Sequence, residues 1–163
     1  MRAAPTLAAA SIGIVLGIAV VGFDYAEGLS YLSTDPRACV NCHIMRSQFD
    51  SWQKSSHHAV ATCAGCHIPE TFPDKYIAKA RNGWNHSKAF TLQNFPEPIL
   101  ITPRNSAILQ ANCERCHDSL VHDLSAASGP PVCVTCHVSV GHGEQVGLGG
   151  PFRAEERKIH EEH

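Results

Sequence analysis

The sequence predicts a mainly α fold with much irregular structure: one N-terminal transmembrane helix, then a small domain with little side-chain core of its own. Three observations predict it. An apolar stretch near the N-terminus carries no charge, the pattern Cys-x-x-Cys-His occurs four times, and the rest of the chain is short for the groups those motifs bind.

The anchor comes first. From Ala3 to Phe23 there is no charged residue, and Leu7 to Phe23 is almost wholly apolar. Such a stretch in helical form covers about 31 Å, enough to cross the hydrocarbon layer. Arg2 precedes it, and Asp24 and Glu27 follow. The positive-inside bias then leaves the N-terminus in the cytoplasm and the rest on the periplasmic side of the inner membrane. A cleaved signal peptide would have a shorter apolar region and a small-x-small ending. Phe23-Asp24-Tyr25-Ala26-Glu27 is a poor site of that kind, so an uncleaved single-pass anchor is expected over residues 1–28. Gly13 and Gly17 form a Gly-x-x-x-Gly pair, which allows self-association through the anchor but is equally common by chance.

The motifs are Cys39-Val40-Asn41-Cys42-His43, Cys63-Ala64-Gly65-Cys66-His67, Cys113-Glu114-Arg115-Cys116-His117 and Cys133-Val134-Thr135-Cys136-His137. They consume all eight cysteines. In each, two thiols can form thioethers to haem vinyl groups while the adjacent His sits under the ring to bind iron. Zinc ribbons do not need a His after every second Cys, and a disulfide framework would not repeat one spacing four times. Four covalently bound c-type haems are therefore expected. Of the 11 histidines, seven lie outside the motifs as candidate second axial ligands: His57, His58, His86, His122, His142, His160 and His163.

A domain over residues 29–152 is too small to bury a large side-chain core, so the haems must serve as its core. The net charge of −2 points to neither nucleic acid nor a polyanion as partner. Motif starts are 24, 50 and 20 residues apart, which groups the sites towards the two ends of the domain. In the long interval, Thr71-Phe72-Pro73-Asp74 reads as a helix opening, with Thr71 as N-cap, and Lys75 to Phe90 as the helix. Lys75, Lys79, Asn82 and His86 share one face of it. That stripe suits either a solvated surface or the wall of a polar pocket. Residues 94–103 are proline-broken and form a connector, whose Ile99-Leu100-Ile101 would pack on a haem face or touch the bilayer. Ser125 to Pro131 reads as a loop, and Gly141 to Gly150 as irregular chain. Residues 153–163 form a charged tail in which His160 and His163 are bystanders.

Motif one differs from the others. It continues Ile44-Met45, and Met45 is the only methionine besides Met1. A buried Met is usually core filler. Beside an attachment motif it is also a candidate axial ligand, which would raise the iron's potential relative to bis-His ligation.

Thr34 to Met45, followed by Ser56-His57-His58-Ala59 ahead of Cys63, resembles the NapC/NirT family of membrane-anchored quinol dehydrogenases, and most of all its small tetrahaem members that serve nitrite reductases. The resemblance covers the anchor, the four motifs and the segment from Cys133 to His142. It implies Met45, rather than His43, as the protein ligand at haem one, and His67, His117 and His137 as proximal ligands of the others. It implies His142 as distal ligand of haem two and His58 as that of haem three, although the adjacent His57 is open to the same role and His122 mimics the spacing of His142. Haem four would take a ligand from a partner or remain weakly capped. Lys75 matches a lysine near the quinol site. Related proteins can carry Asp where this chain has Asn82; a neutral amide cannot take a proton, and His86 is the substitute acceptor. The implied function is oxidation of menaquinol from the membrane pool, with electrons passing to a periplasmic multihaem, ammonia-forming nitrite reductase. Two other readings remain open at this point: a conduit to a different reductase, and a terminal reductase acting at an open haem.

Overall fold

Local chemistry sets the helix starts. The computed structural model describes residues 3–41, 43–96, 98–128 and 132–147, and every secondary-structure element among them is helical. It divides into two units, Met1–Ser33 and Thr34–His163.

The first unit is α1 (Ala3–Tyr25) followed by a 3-10 turn, Gly28–Leu32. Apolar on every face, α1 has no side it must bury against protein, and its side chains from Ala4 onward are exposed. A lipid solvent satisfies such a helix because all its backbone hydrogen bonds are internal. Glu27 takes a left-handed conformation (φ 48°) to break out of the helix. Gly28 follows where a Cβ would run into the Phe23 ring.

In the second unit the first, second and fourth attachment motifs begin on short helices whose exposed N–H ends are capped. In α2 (Pro36–Val40), which carries Cys39, Asp35 Oδ1 accepts from Arg37 N at 2.8 Å and Pro36 opens the first turn. In α4 (Cys63–His67), Thr62 Oγ1 accepts from Gly65 N at 3.2 Å. A short α3 (Arg46–Trp52) lies between them. The third motif lies inside α6 (Pro103–Ser128), which is kinked at His117 itself (φ −107°, ψ 18°). The fourth forms α7 (Cys133–Cys136), and a last turn, α8 (Glu144–Gly147), closes the described chain. Val132 offers α7 no side-chain cap; Gln110 of α6 supplies one, its Oε1 accepting from Cys133 N at 2.9 Å.

These helices pack in series: α2 on α4, α4 on α6, and α6 on α7. Among the described residues only Trp52 and Ala78 are buried apolar side chains, at 9% and 4% exposure. That sparse core matches a domain organised round prosthetic groups.

The long helix α5 spans Asp74–Leu92, one residue longer at its start and two longer at its end than the Lys75–Phe90 the sequence suggests. Thr71 does not cap a backbone N–H; its hydroxyl donates to the Asp74 carboxylate at 3.0 Å, and Pro73 holds the N-cap position. The connector 98–102 is non-helical, as expected. Ser125 does not open a loop as expected, since α6 runs on to Ser128; the rest of that expected loop, residues 129–131, lies outside the described residues. The charged tail, residues 153–163, lies outside the described residues.

Candidate haem and quinol sites

Two histidine pairs dominate the geometry. The rings of His67 and His142 face each other with centroids 6.2 Å apart and planes 29° apart. Those of His57 and His117 are 6.1 Å apart at 62°. Two imidazoles bound to opposite sides of one metal, each through a bond of about 2 Å, have ring centres roughly 6 Å apart. Both pairs have that spacing. The donor set therefore fits an iron held between two neutral imidazoles, one from a Cys-x-x-Cys-His motif and one from elsewhere. No cluster of three or more His, Cys, Asp or Glu gathers among the described residues, so the pattern is of pairs rather than of a bare-ion cage.

Second partners orient the rings. His142 Nδ1 donates to the carbonyl of Gln48 at 3.0 Å, leaving Nε2 with its lone pair for a metal. Beside it Gly143 N donates to Ser51 Oγ at 2.6 Å, so α3 carries the segment that presents His142. His57 Nδ1 lies 3.1 Å from Ser56 Oγ. Burial pushes His67 down to about 4, with His142 adding to the effect. Burial also holds His142 below its ordinary value, partly offset by the Gln48 hydrogen bond. Both rings are thus neutral at physiological pH, the form a metal needs.

The expectation of His58 beside His117 meets a different arrangement. His58 packs edge-on against Trp52 with centroids 4.6 Å apart, and His57 is the ring that faces His117. Trp52 explains the choice. It is buried, stacks near Phe49 at 5.6 Å and donates from Nε1 to Ala61 O at 3.0 Å, so it fixes the loop and takes one of the two adjacent rings as a packing partner.

The thiols record how the motifs neighbour one another. Cys39 and Cys63 share a hydrogen bond, which lowers Cys39 and raises Cys63. Cys66 is raised by burial and then by Cys116. Burial pushes Cys113 up to about 11, with Cys133, Cys66 and Cys116 contributing. Motif one thus borders motif two, and motif three touches both two and four. Asn112, 8% exposed and just ahead of Cys113, ties two of them: its Nδ2 donates to Cys66 O at 2.9 Å and Ile68 O at 3.1 Å.

Motif one is the least furnished. Cys42 lies outside the described residues; His43 enters a 3-10 turn, His43–Met45, and Met45 is half-buried. The polar stripe of α5 turns inward. Lys75, Lys79 and Asn82 are half-buried round Ala78. Lys79 is near enough to Cys39 to lower that thiol, and is itself lowered first by burial and then by Lys75. Asn82 Oδ1 accepts from Asn105 Nδ2 at 3.2 Å, joining α5 to α6. His86 closes the stripe; the residue is largely exposed, yet burial of its ring holds it below its ordinary value. His137 is exposed at the end of α7.

The NapC/NirT cytochrome c family, N-terminal region, matches residues 2–128. The chain belongs to that family. It is 42% identical to the cytochrome c-type protein NrfH of Wolinella succinogenes over 144 residues, covering 80% of this chain and 81% of that protein. It is 31% identical to the cytochrome c nitrite reductase subunit NrfH of Nitratidesulfovibrio vulgaris, covering 83% and 81%. Its structure is similar to a chain of the cytochrome c nitrite reductase NrfHA complex bound to the HQNO inhibitor, with a TM-score of 0.59 and 27% identity, over 85% of this chain and 90% of that one. As a member of the family it is a c-type cytochrome held by a single apolar N-terminal helix.

Sequence reasoning did not single out Gln48, Ser51, Trp52, Gln110, Asn112 or Asn105. All but Trp52 act through a contact with chain far away in sequence, for which a linear motif carries no signal; Trp52 acts within its own loop, on Phe49, His58 and Ala61. His57 had one: adjacent histidines ahead of a motif.

Proposed function

We propose that this chain is a membrane-anchored tetrahaem quinol dehydrogenase that oxidises menaquinol and delivers electrons to the catalytic subunit of a periplasmic, ammonia-forming cytochrome c nitrite reductase. The observation that carries the reading is the polar face of α5 turned inward beside motif one, at the head of four attachment motifs packed in order. The N-terminus would lie in the cytoplasm and the haem domain in the periplasm. The 42% identity to NrfH and the likeness to the NrfHA complex support the partner.

The four haems would be held by the cysteines of the motifs. His67 with His142 would ligate haem two, and His117 with His57 haem three. Met45 would ligate haem one from the attachment side, and His137 haem four, whose other position a partner residue can fill. When bound, these groups supply one-electron acceptance at iron.

The chain's own residues do the remaining work. Lys75 and Lys79 donate hydrogen bonds to a quinol oxygen and favour its deprotonated form. Asn82, its carbonyl occupied by Asn105, adds a fixed dipole to the wall. His86, neutral because its value is depressed, can take a proton at a ring nitrogen and pass it outward from an exposed position.

The test is Lys75→Leu in the haem-loaded, full-length chain in proteoliposomes. A menaquinol analogue should no longer reduce the haems, while dithionite still reduces all of them. Wild-type quinol oxidation by that variant would remove α5 from the site.

A further inference from the structure

Motif three is the one attachment motif that carries charge between its cysteines. The paired residues are Val40-Asn41, Ala64-Gly65 and Val134-Thr135 in the others, and Glu114-Arg115 here. The two charges reach opposite ways. Arg115 Nη1 meets Glu70 Oε2 at 2.6 Å, just after motif two and on an exposed seam. Glu114 turns to motif four instead: its Oε1 accepts from Nε2 of Gln110, one helical turn back in α6, at 2.7 Å. The oxygen of the same Gln110 amide accepts from Cys133 N at 2.9 Å. One half-buried amide thus joins the carboxylate inside motif three to the first residue of motif four.

A neutral clamp holds a charge in place without cancelling it. Glu114 is half-buried, and among the described side chains every other carboxylate is exposed. The neighbouring cation, Arg115, is engaged by Glu70. Water screens charges on the surface, whereas a charge partly withdrawn from it acts at longer range. A haem iron carries one more positive charge when ferric than when ferrous, so a fixed carboxylate nearby favours the ferric form and lowers the potential. Connectivity alone sets Glu114 beside haem three, because Cys113 and Cys116 on either side of it are the attachment points of that haem. The Gln110 amide sets it beside the start of motif four.

We infer that Glu114 is a potential-setting residue shared by the haems of motifs three and four, its carboxylate keeping both at lower potentials than their axial ligands alone would give. Gln110 is the positioning residue that holds the carboxylate in the seam between them. Electrons on these two haems are held less tightly and pass on more readily to an acceptor. The inference needs haems at motifs three and four, and neither the quinol nor the reductase reading.

The test is a redox titration of the haem-loaded, full-length chain in detergent, with each haem followed by its paramagnetic resonance signal. Signals are assigned through His117→Ala and His137→Ala, each of which perturbs one haem. Glu114→Gln removes the charge and keeps an acceptor for Gln110. At a fixed solution potential it should raise the ferrous-to-ferric ratio of haems three and four about threefold or more, the order expected for loss of one partly screened unit charge. The ratios of haems one and two should not change. Glu114→Asp should keep the wild-type ratios, and Asp50→Asn, at an exposed site, should leave haems three and four as they are. Gln110→Met, which frees the carboxylate to turn to water, should raise the same two ratios by less, and should add nothing in the Glu114→Gln chain. Unchanged ratios in Glu114→Gln would overturn the inference, as would an equal rise from Asp50→Asn, which would trace the effect to overall charge. A rise in only one of the two haems would overturn the shared role. Should Glu114→Gln load haem poorly, Glu114→Asp against Glu114→Asn compares charge at constant shape, and equal ratios in that pair would overturn the inference. The readout is potential and not turnover, so failure of the quinol reading leaves it intact.

Discussion

The middle of the haem domain and its two ends are built differently. In the middle, two motif histidines each face a second ring from this chain at 6.1–6.2 Å, and His142 is further steered by a backbone carbonyl of α3. At the ends, motif one offers a half-buried Met45 beside a polar helix face, and motif four an exposed His137. A haem with both axial positions filled from within is confined to electron transfer, whereas one left incomplete can also take a ligand from outside. Under the proposed function this contrast would give the domain a direction: donor at motif one, two relays, and exit to the partner at motif four.

The strongest way to break that contrast is to open the middle. His142→Ala and His57→Ala should each convert one low-spin bis-His haem to high spin, or prevent its assembly, as read by optical and paramagnetic resonance spectra. His58→Ala should keep the low-spin count and lower only stability, because its ring packs on Trp52. If His58→Ala, and not His57→Ala, loses the signal, His58 rather than His57 is the ligand opposite His117.

The reverse experiment closes an end. Met45→His should lower the potential of haem one by on the order of 100 mV, a modest part of the roughly 0.8 V that axial ligation spans, and slow quinol oxidation. Potentiometry on the whole protein reads it. An unchanged set of four potentials would show that Met45 is only filler.

The donor end should also carry a proton signature. Burial depresses His86, so its neutral, proton-accepting form persists below the ordinary histidine value of about 6.5. Quinol oxidation should therefore hold near neutral pH and fall only as pH drops through that depressed value. His86→Gln should erase this acid limb and slow turnover about tenfold or more, within the range general bases supply. A limb that survives the substitution assigns the proton to another group.

How much of this was legible beforehand follows from the range of each signal. The anchor and the four motifs are local patterns, and covalent attachment needs only their spacing. The stripe on α5 was also visible, being a matter of helical period. Which side of α5 faced inward was not, since a polar face buries only when its neighbours offer charge or amide partners, as Asn105 does for Asn82. The choice between His57 and His58 was hidden for a similar reason: it rests on Trp52, whose burial depends on Ala61 and Phe49. The contacts that hold one motif to the next cross 23 to 46 residues of sequence, so no local window contains them.

Those contacts sharpen the comparison at a smaller scale. Asn112→Leu leaves the carbonyls of Cys66 and Ile68 without their donor in a buried seam, and should destabilise the protein by about 1–3 kcal/mol. Gln110→Leu uncaps α7 at a less buried place, and should cost about 1 kcal/mol. Chemical denaturation followed at the haem absorption band measures both. Loosening the Asn112 seam should disturb the magnetic coupling of haems two and three more than that of three and four, and the Gln110 variant should do the opposite.

The smallest effect belongs to the ion pair on the same seam. Arg115, inside motif three, meets Glu70, just after motif two, at 2.6 Å, with their side chains 42% and 61% exposed. The distance is short, but water competes for both ends and two long side chains must be held still. Exposed pairs of this kind contribute about 0.2–1 kcal/mol and are screened by salt. Glu70→Gln should thus lower stability by less than about 1 kcal/mol at low ionic strength and by less still at high salt. Asn112→Leu should show no such salt dependence, because Asn112 is buried and its partners are neutral backbone carbonyls. If instead Glu70→Gln proves the more damaging of the two, the seam between the closed relays is held electrostatically from outside rather than by the buried amide.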